Sequence, residues 1–154
     1  MNNAMEEGPF SPDRSGGLPA RSLITLCYSG KYSEGELVKK MFGSGGMYAY
    51  VGTKDLRIAE QMAEAGDEQA AVVLDAMAYQ ISKEIGAMAT VLSGDVDVIV
   101  ITGGMAYSQA LIGKISKRVA FIAPIQVIPG EDELEALAAG AWRVLTGEEQ
   151  TLEY

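Results

Sequence analysis

The stretch VDVIVITGGMAYS, residues 96–108, runs through β-branched apolar residues, breaks at Thr102-Gly103-Gly104 and re-enters helix-forming sequence. Paired glycines between a strand and a helix start permit positive φ and remove the Cβ, so a backbone can come close to a nucleotide there. The same string also fits an ordinary strand-to-helix turn. Other chemistry is narrowed by what is missing. The 154 residues hold no histidine and one cysteine, Cys27. A cysteine–histidine zinc site is therefore excluded, and the commonest general base is absent. Cys27 cannot close an internal disulfide and reads as a small core residue.

Charge narrows the partners. Twelve Lys and Arg stand against 21 Asp and Glu, a formal charge of −9. There is no basic run, so nucleic acid and anionic membrane surfaces are not expected partners. Any phosphate must be held by local groups against a repelling overall field. No apolar run reaches about 18 residues and the first ten are polar and acidic, which predicts neither a membrane span nor a signal peptide and suggests a cytoplasmic protein.

The elements that would position such residues follow from periodicity and capping. Residues 1–19 carry three of the five prolines and no periodicity, and read as a long loop. ARSLITLCYSG predicts a short helix ending at Gly30, and SEGELVKKMFG a second, with Ser33 and Glu36 at capping-box spacing. The glycine-rich GSGGM and the following YAYVG read as a connection to Thr53. A helix is expected from about Asp55 to Ala65. After Gly66, Asp67 caps a long one whose apolar positions Ala70, Leu74, Met77, Ile81, Ile85, Met88 and Leu92 recur every three or four residues. Its methionines read as core or interface filler. Then come a strand at DVIVIT, a helix at YSQALIGKISKRV, a strand at PIQVI and a closing helix from Glu131 with acids in its first turn.

The order is several helices followed by β-α-β-α, an α/β arrangement whose two strands should pair in parallel. Parallel strands are normally buried on both faces and rarely occur as a lone pair, so the chain reads as part of a larger fold.

Taken together, NNAMEEGPFSPDRSGGLP, YVGTKDLR, AMAYQISKEIGAMA, ITGGMAYS and FIAPIQVIPGEDELEALAAGA closely resemble the C-terminal portion of butyrate kinases. These belong to the acetate kinase group of the actin-like, sugar kinase and Hsp70 ATPase superfamily. The resemblance implies a ribonuclease-H-like lobe of an acyl kinase, with helices around a small sheet, incomplete without an N-terminal lobe. It divides the chain into an active-site loop, 1–19, continuing from a missing upstream part, and a nucleotide-binding lobe, 20–154. Met1 would then start a truncated frame, and a histidine-led phosphate loop would be missing with the upstream part.

The resemblance also implies site roles. ITGGMAYS is similar to an adenosine motif, putting Thr102, Gly103, Gly104 and Met105 at the nucleotide. TKDLR resembles a segment near the nucleotide, with Arg57 on a phosphate or stacked on adenine and Asp55 orienting it or holding a ribose hydroxyl; locally these are also ordinary first-turn charges. GPFSPDRSGGLP resembles the loop whose arginine, here Arg14, meets the transferred phosphoryl group, with Ser15, Gly16 and Gly17 turning the backbone around it. A planar guanidinium can bind two phosphoryl oxygens at once. Glu131 or Glu133 would help to hold magnesium. The implied reaction is ATP plus butanoate giving ADP and butanoyl phosphate, in a protein that associates with itself. The rival expectation is a non-catalytic nucleotide-binding or assembly module.

Overall fold

The computed structural model describes residues 8–130 and 133–151, and for 133 and 134 the backbone only. Among these residues seven helices and two strands follow one another: α1 (Ala20–Cys27), α2 (Glu34–Met41), α3 (Gly46–Val51), α4 (Leu56–Glu64), α5 (Glu68–Val91), β1 (Ile99–Gly103), α6 (Gln109–Val119), β2 (Ile125–Pro129) and α7 (Glu133–Leu145). A single turn of 3-10 helix, Gly104–Tyr107, joins β1 to α6.

Side-chain caps start four of the helices. Ser33 accepts from the Glu36 amide while Glu36 accepts from the Ser33 amide, closing the capping box at α2. Asp55 caps α4, Asp67 caps α5 and Ser108 caps α6 through the amides of Arg57, Ala70 and Leu111.

The core gathers where α5 meets α4 and α6. Met77 and Ala59 are fully enclosed, with Val73, Leu74, Leu111, Ile115 and Val119 around them. The period of α5 matches expectation over its first half: Ala70, Leu74 and Met77 are buried, but Met88 and Leu92 at its far end are exposed.

β1 and β2 pair in parallel, with Ile99 opposite Ile125 and Gly103 opposite Pro129. Among the described residues only one face of this pair is covered. Ile99 and Ile101 pack toward the core, whereas Val98, Val100 and Ile128 lie exposed. The apolar run therefore does not report burial on both faces within this chain. α7 is exposed along its described side chains, with Leu137 and Trp142 in solvent.

Two sequence expectations are corrected. The stretch after GSGG is not a plain connection, because residues 46–51 form α3, held by complete burial of Met47. Cys27 is exposed, not core: α1 buries none of its residues.

Candidate phosphoryl and nucleotide site

The loop that carries Arg14 has no helix or strand of its own, yet it is closely fitted. Its backbone bonds to the segment joining α2 and α3. The amides of Ser15, Gly43 and Gly45 reach the carbonyls of Met41, Asp13 and Asp13, and those of Met47 and Tyr48 reach Ser11 and Pro12. Arg14 and Phe42 form an isolated antiparallel bridge. Two glycines make this approach possible. A Cβ on Gly46, at φ 57°, would sit 2.0 Å from the Ser11 carbonyl oxygen, and one on Gly45 would sit 2.5 Å from that of Lys40. Gly16, at φ 66°, is equally confined, its Cβ position 2.6 Å from the Phe10 nitrogen. On the other side, the Phe10 amide donates to Gln80 on α5 at 3.1 Å, and the Phe10 ring is buried. Arg14 rides at the exposed rim of this fitted loop.

The Asp55–Arg57 segment follows α3 directly. Asp55 receives the Arg57 guanidinium with both oxygens, at 3.0 Å and 2.6 Å, and accepts the Arg57 amide at 2.9 Å. The guanidinium hydrogen bonds hold the Asp55 carboxyl well below its usual range, at about 2, and Asp55 in turn raises Arg57. Asp55 thus orients Arg57 and caps α4, and the Arg57 side chain is 84% exposed.

At the end of β1, Gly103 takes φ 86°, and the space where its Cβ would stand is open to beyond 4 Å. A partner could approach the backbone there. Gly104 instead opens the 3-10 turn, so one glycine rather than both uses the left-handed region. Thr102 is exposed, whereas the Met105 side chain packs against the core.

Two side-chain contacts invisible in the sequence link these segments. Lys54 reaches Asp13 at 3.6 Å, joining the start of α4 to the Arg14 loop. The Ser108 hydroxyl donates to Glu60 of α4, joining that helix to the exit of the glycine turn. Asp13, Lys54, Glu60 and Ser108, together with Gly45 and Gly46, hold these segments together, and spacing did not reveal them. A cleft of about 810 Å³ lies between the loop, α3 and α5, but Arg14, Asp55, Arg57 and Gly103 do not line it.

The acids expected to hold magnesium fare differently. Glu131 lies outside the described residues, and Glu133 begins α7 with no side chain described. Among the described residues no three of His, Cys, Asp or Glu gather into a metal-binding group. Among the same residues no helix is long and apolar enough to cross a membrane.

A profile of the Acetokinase family matches residues 7–123, spanning the Arg14 loop, α4 and the glycine turn. The chain belongs to the acetokinase family. Its sequence is 55% identical over 149 residues to "Probable butyrate kinase 2" of Caldanaerobacter subterraneus subsp. tengcongensis, covering 97% of this chain and 42% of that relative. This acetokinase chain thus spans less than half the length of the curated relative it matches. Among solved structures, Porphyromonas gingivalis acetate kinase superposes with a TM-score of 0.78 at 23% identity, over 90% of this chain and 41% of that one. A propionate kinase from Francisella tularensis subsp. tularensis gives 0.73 at 20% identity, over 83% and 39%. These likenesses establish the helix-rich α/β architecture with its small parallel sheet as that of the acetate kinase C-terminal lobe.

Proposed function

We propose that this chain supplies the nucleotide-binding lobe and the phosphoryl-clamping loop of a cytoplasmic butyrate kinase, which converts ATP and butanoate to ADP and butanoyl phosphate. A carboxylate oxygen of butanoate attacks the γ-phosphorus in line. The new O–P bond forms as the bond from that phosphorus to the bridging oxygen breaks, and ADP leaves with the electron pair. Butanoate is already ionised at neutral pH, so no general base is needed, in keeping with a chain that has no histidine.

Catalysis of this kind rests on positioning and charge neutralisation. Arg14 binds the equatorial oxygens of the phosphoryl group in flight, and the backbone at Gly103 lies against adenosine. Asp55 holds Arg57 ready for a phosphate or the adenine ring. Magnesium, when bound, adds neutralisation at the phosphates. The observation that carries this reading is the tie, through Asp13 and Lys54, between the Arg14 loop and the Asp55–Arg57 segment in a chain of this family.

The chain alone is inactive in this reading, because the rest of the relatives' length holds the acyl pocket and a further phosphate loop. Its uncovered apolar surface favours self-association. The test is butanoate-dependent ADP formation by the purified chain, alone and mixed with the upstream portion of a relative. Activity only in the mixture, higher with butanoate than with acetate, supports the reading. No activity in a mixture that forms a stable complex overturns it in favour of a non-catalytic nucleotide-binding or assembly module.

A further inference from the structure

Glu60 is half-buried on α4 and accepts a hydrogen bond from a side chain 48 positions away. That partner, Ser108, already works at the start of α6. Its hydroxyl oxygen accepts the Leu111 amide at 2.9 Å as the N-cap, which leaves the hydroxyl proton needing an acceptor. Glu60 supplies it. The capped residue is also the last of the turn: Ser108 follows the 3-10 segment Gly104–Tyr107, and its own amide donates to Met105 at 3.1 Å.

We infer that Glu60 is a positioning residue for the nucleotide turn, locking Gly103–Tyr107 to the helix that carries Asp55 and Arg57 by holding the Ser108 hydroxyl. Gly103 is held at the sheet edge, opposite Pro129 and bridged to Gly130, so the Ser108 hydroxyl fixes the far end of the same turn. A pre-set turn loses less freedom on binding than one that must order, so the lock shows up as affinity.

This inference rests on the nucleotide reading of the glycine turn, and the experiment separates the two. Amide hydrogen exchange of the full chain is compared for wild type, Glu60→Ala, Glu60→Gln, Ser108→Ala and the Glu60→Ala/Ser108→Ala double variant, alongside ADP binding by calorimetry. Losing a hydrogen bond to a charged group corresponds to about a tenfold change. Exchange across residues 103–111 should therefore rise about tenfold in Glu60→Ala and Ser108→Ala, with α5 core amides unchanged. ADP affinity should fall by a comparable factor. Glu60→Gln, whose amide oxygen still accepts, should recover within about twofold of wild type, and the double variant should be no worse than Ser108→Ala, which also loses the α6 cap. Unchanged exchange at 103–111 in Glu60→Ala overturns the lock, as does additivity in the double variant. If exchange responds while the wild-type chain binds no ADP, the lock stands and the nucleotide reading falls. Should Glu60→Ala unfold, Glu60→Gln and Ser108→Ala decide alone.

Discussion

The Arg14 loop and the β1–β2 sheet form an instructive pair, because regular structure and close fitting are divided between them in opposite ways. The loop has no periodicity, yet five backbone hydrogen bonds to residues 41–48 and three confined glycines leave it little freedom. The sheet is regular and apolar, yet one face is open and Val98, Val100 and Ile128 meet solvent. Regular structure is thus a poor guide to where this chain is specified. The loop has its fit within these 154 residues, while the sheet has apolar surface that nothing among the described residues covers.

That contrast can be attacked at its strongest point first. Gly46→Ala forces a side chain into the left-handed region and onto the Ser11 carbonyl oxygen, so it should cost at least about 3 kcal/mol in chemical denaturation. A loss below about 1 kcal/mol would mean that the loop gives way easily and is not fitted. On the bare face, Val100→Thr should change stability by no more than about 0.5 kcal/mol, since the residue is 51% exposed. A loss several times larger would show that this face is covered in solution, as self-association would do.

A subtler comparison concerns α4, which joins the two regions. The Asp55 carboxyl is depressed from 3.8 to about 2 by Arg57, so its contribution is complete above about pH 4 and lost as pH falls toward 2. Asp55→Asn keeps a capping side chain and removes that dependence. The stability difference between wild type and variant, followed by circular dichroism, should shrink between pH 4 and pH 2. A difference that stays constant across that window would show that the charge pair does not act in solution.

Much of the helical order was legible because its signals are local. Ser33 and Glu36 lie three residues apart, and the period of α5 needs only its own residues. α3 escaped notice because GSGGMYAYV argues against a helix by propensity; the complete burial of Met47 decides it instead. The burial of Cys27 was misjudged because residue type suggests a core position, while the outer placement of α1 decides its exposure. The Gly103 turn was marked by its paired glycines, and Arg14 was singled out through resemblance. The contacts Asp13–Lys54 and Glu60–Ser108 left no such mark, since polar side chains that meet across tens of residues leave no pattern in one sequence. One apolar run cannot report a bare sheet face either, because β-branched residues suit a strand whichever side is covered.

The central claim, that the fitted loop presents Arg14 to a phosphoryl group in transit, is tested most directly by turnover. The assay compares wild type, Arg14→Ala and Arg14→Lys, each mixed with the upstream portion of a relative, at saturating ATP and butanoate. A donor acting in the transition state should lower kcat about 10²- to 10³-fold on removal, with little change in KM or in the melting temperature. Lysine should rescue little, because an ammonium keeps the charge but not the two-pronged geometry. Retention of more than about a tenth of wild-type kcat by Arg14→Ala would contradict the claim and leave the loop with a structural role.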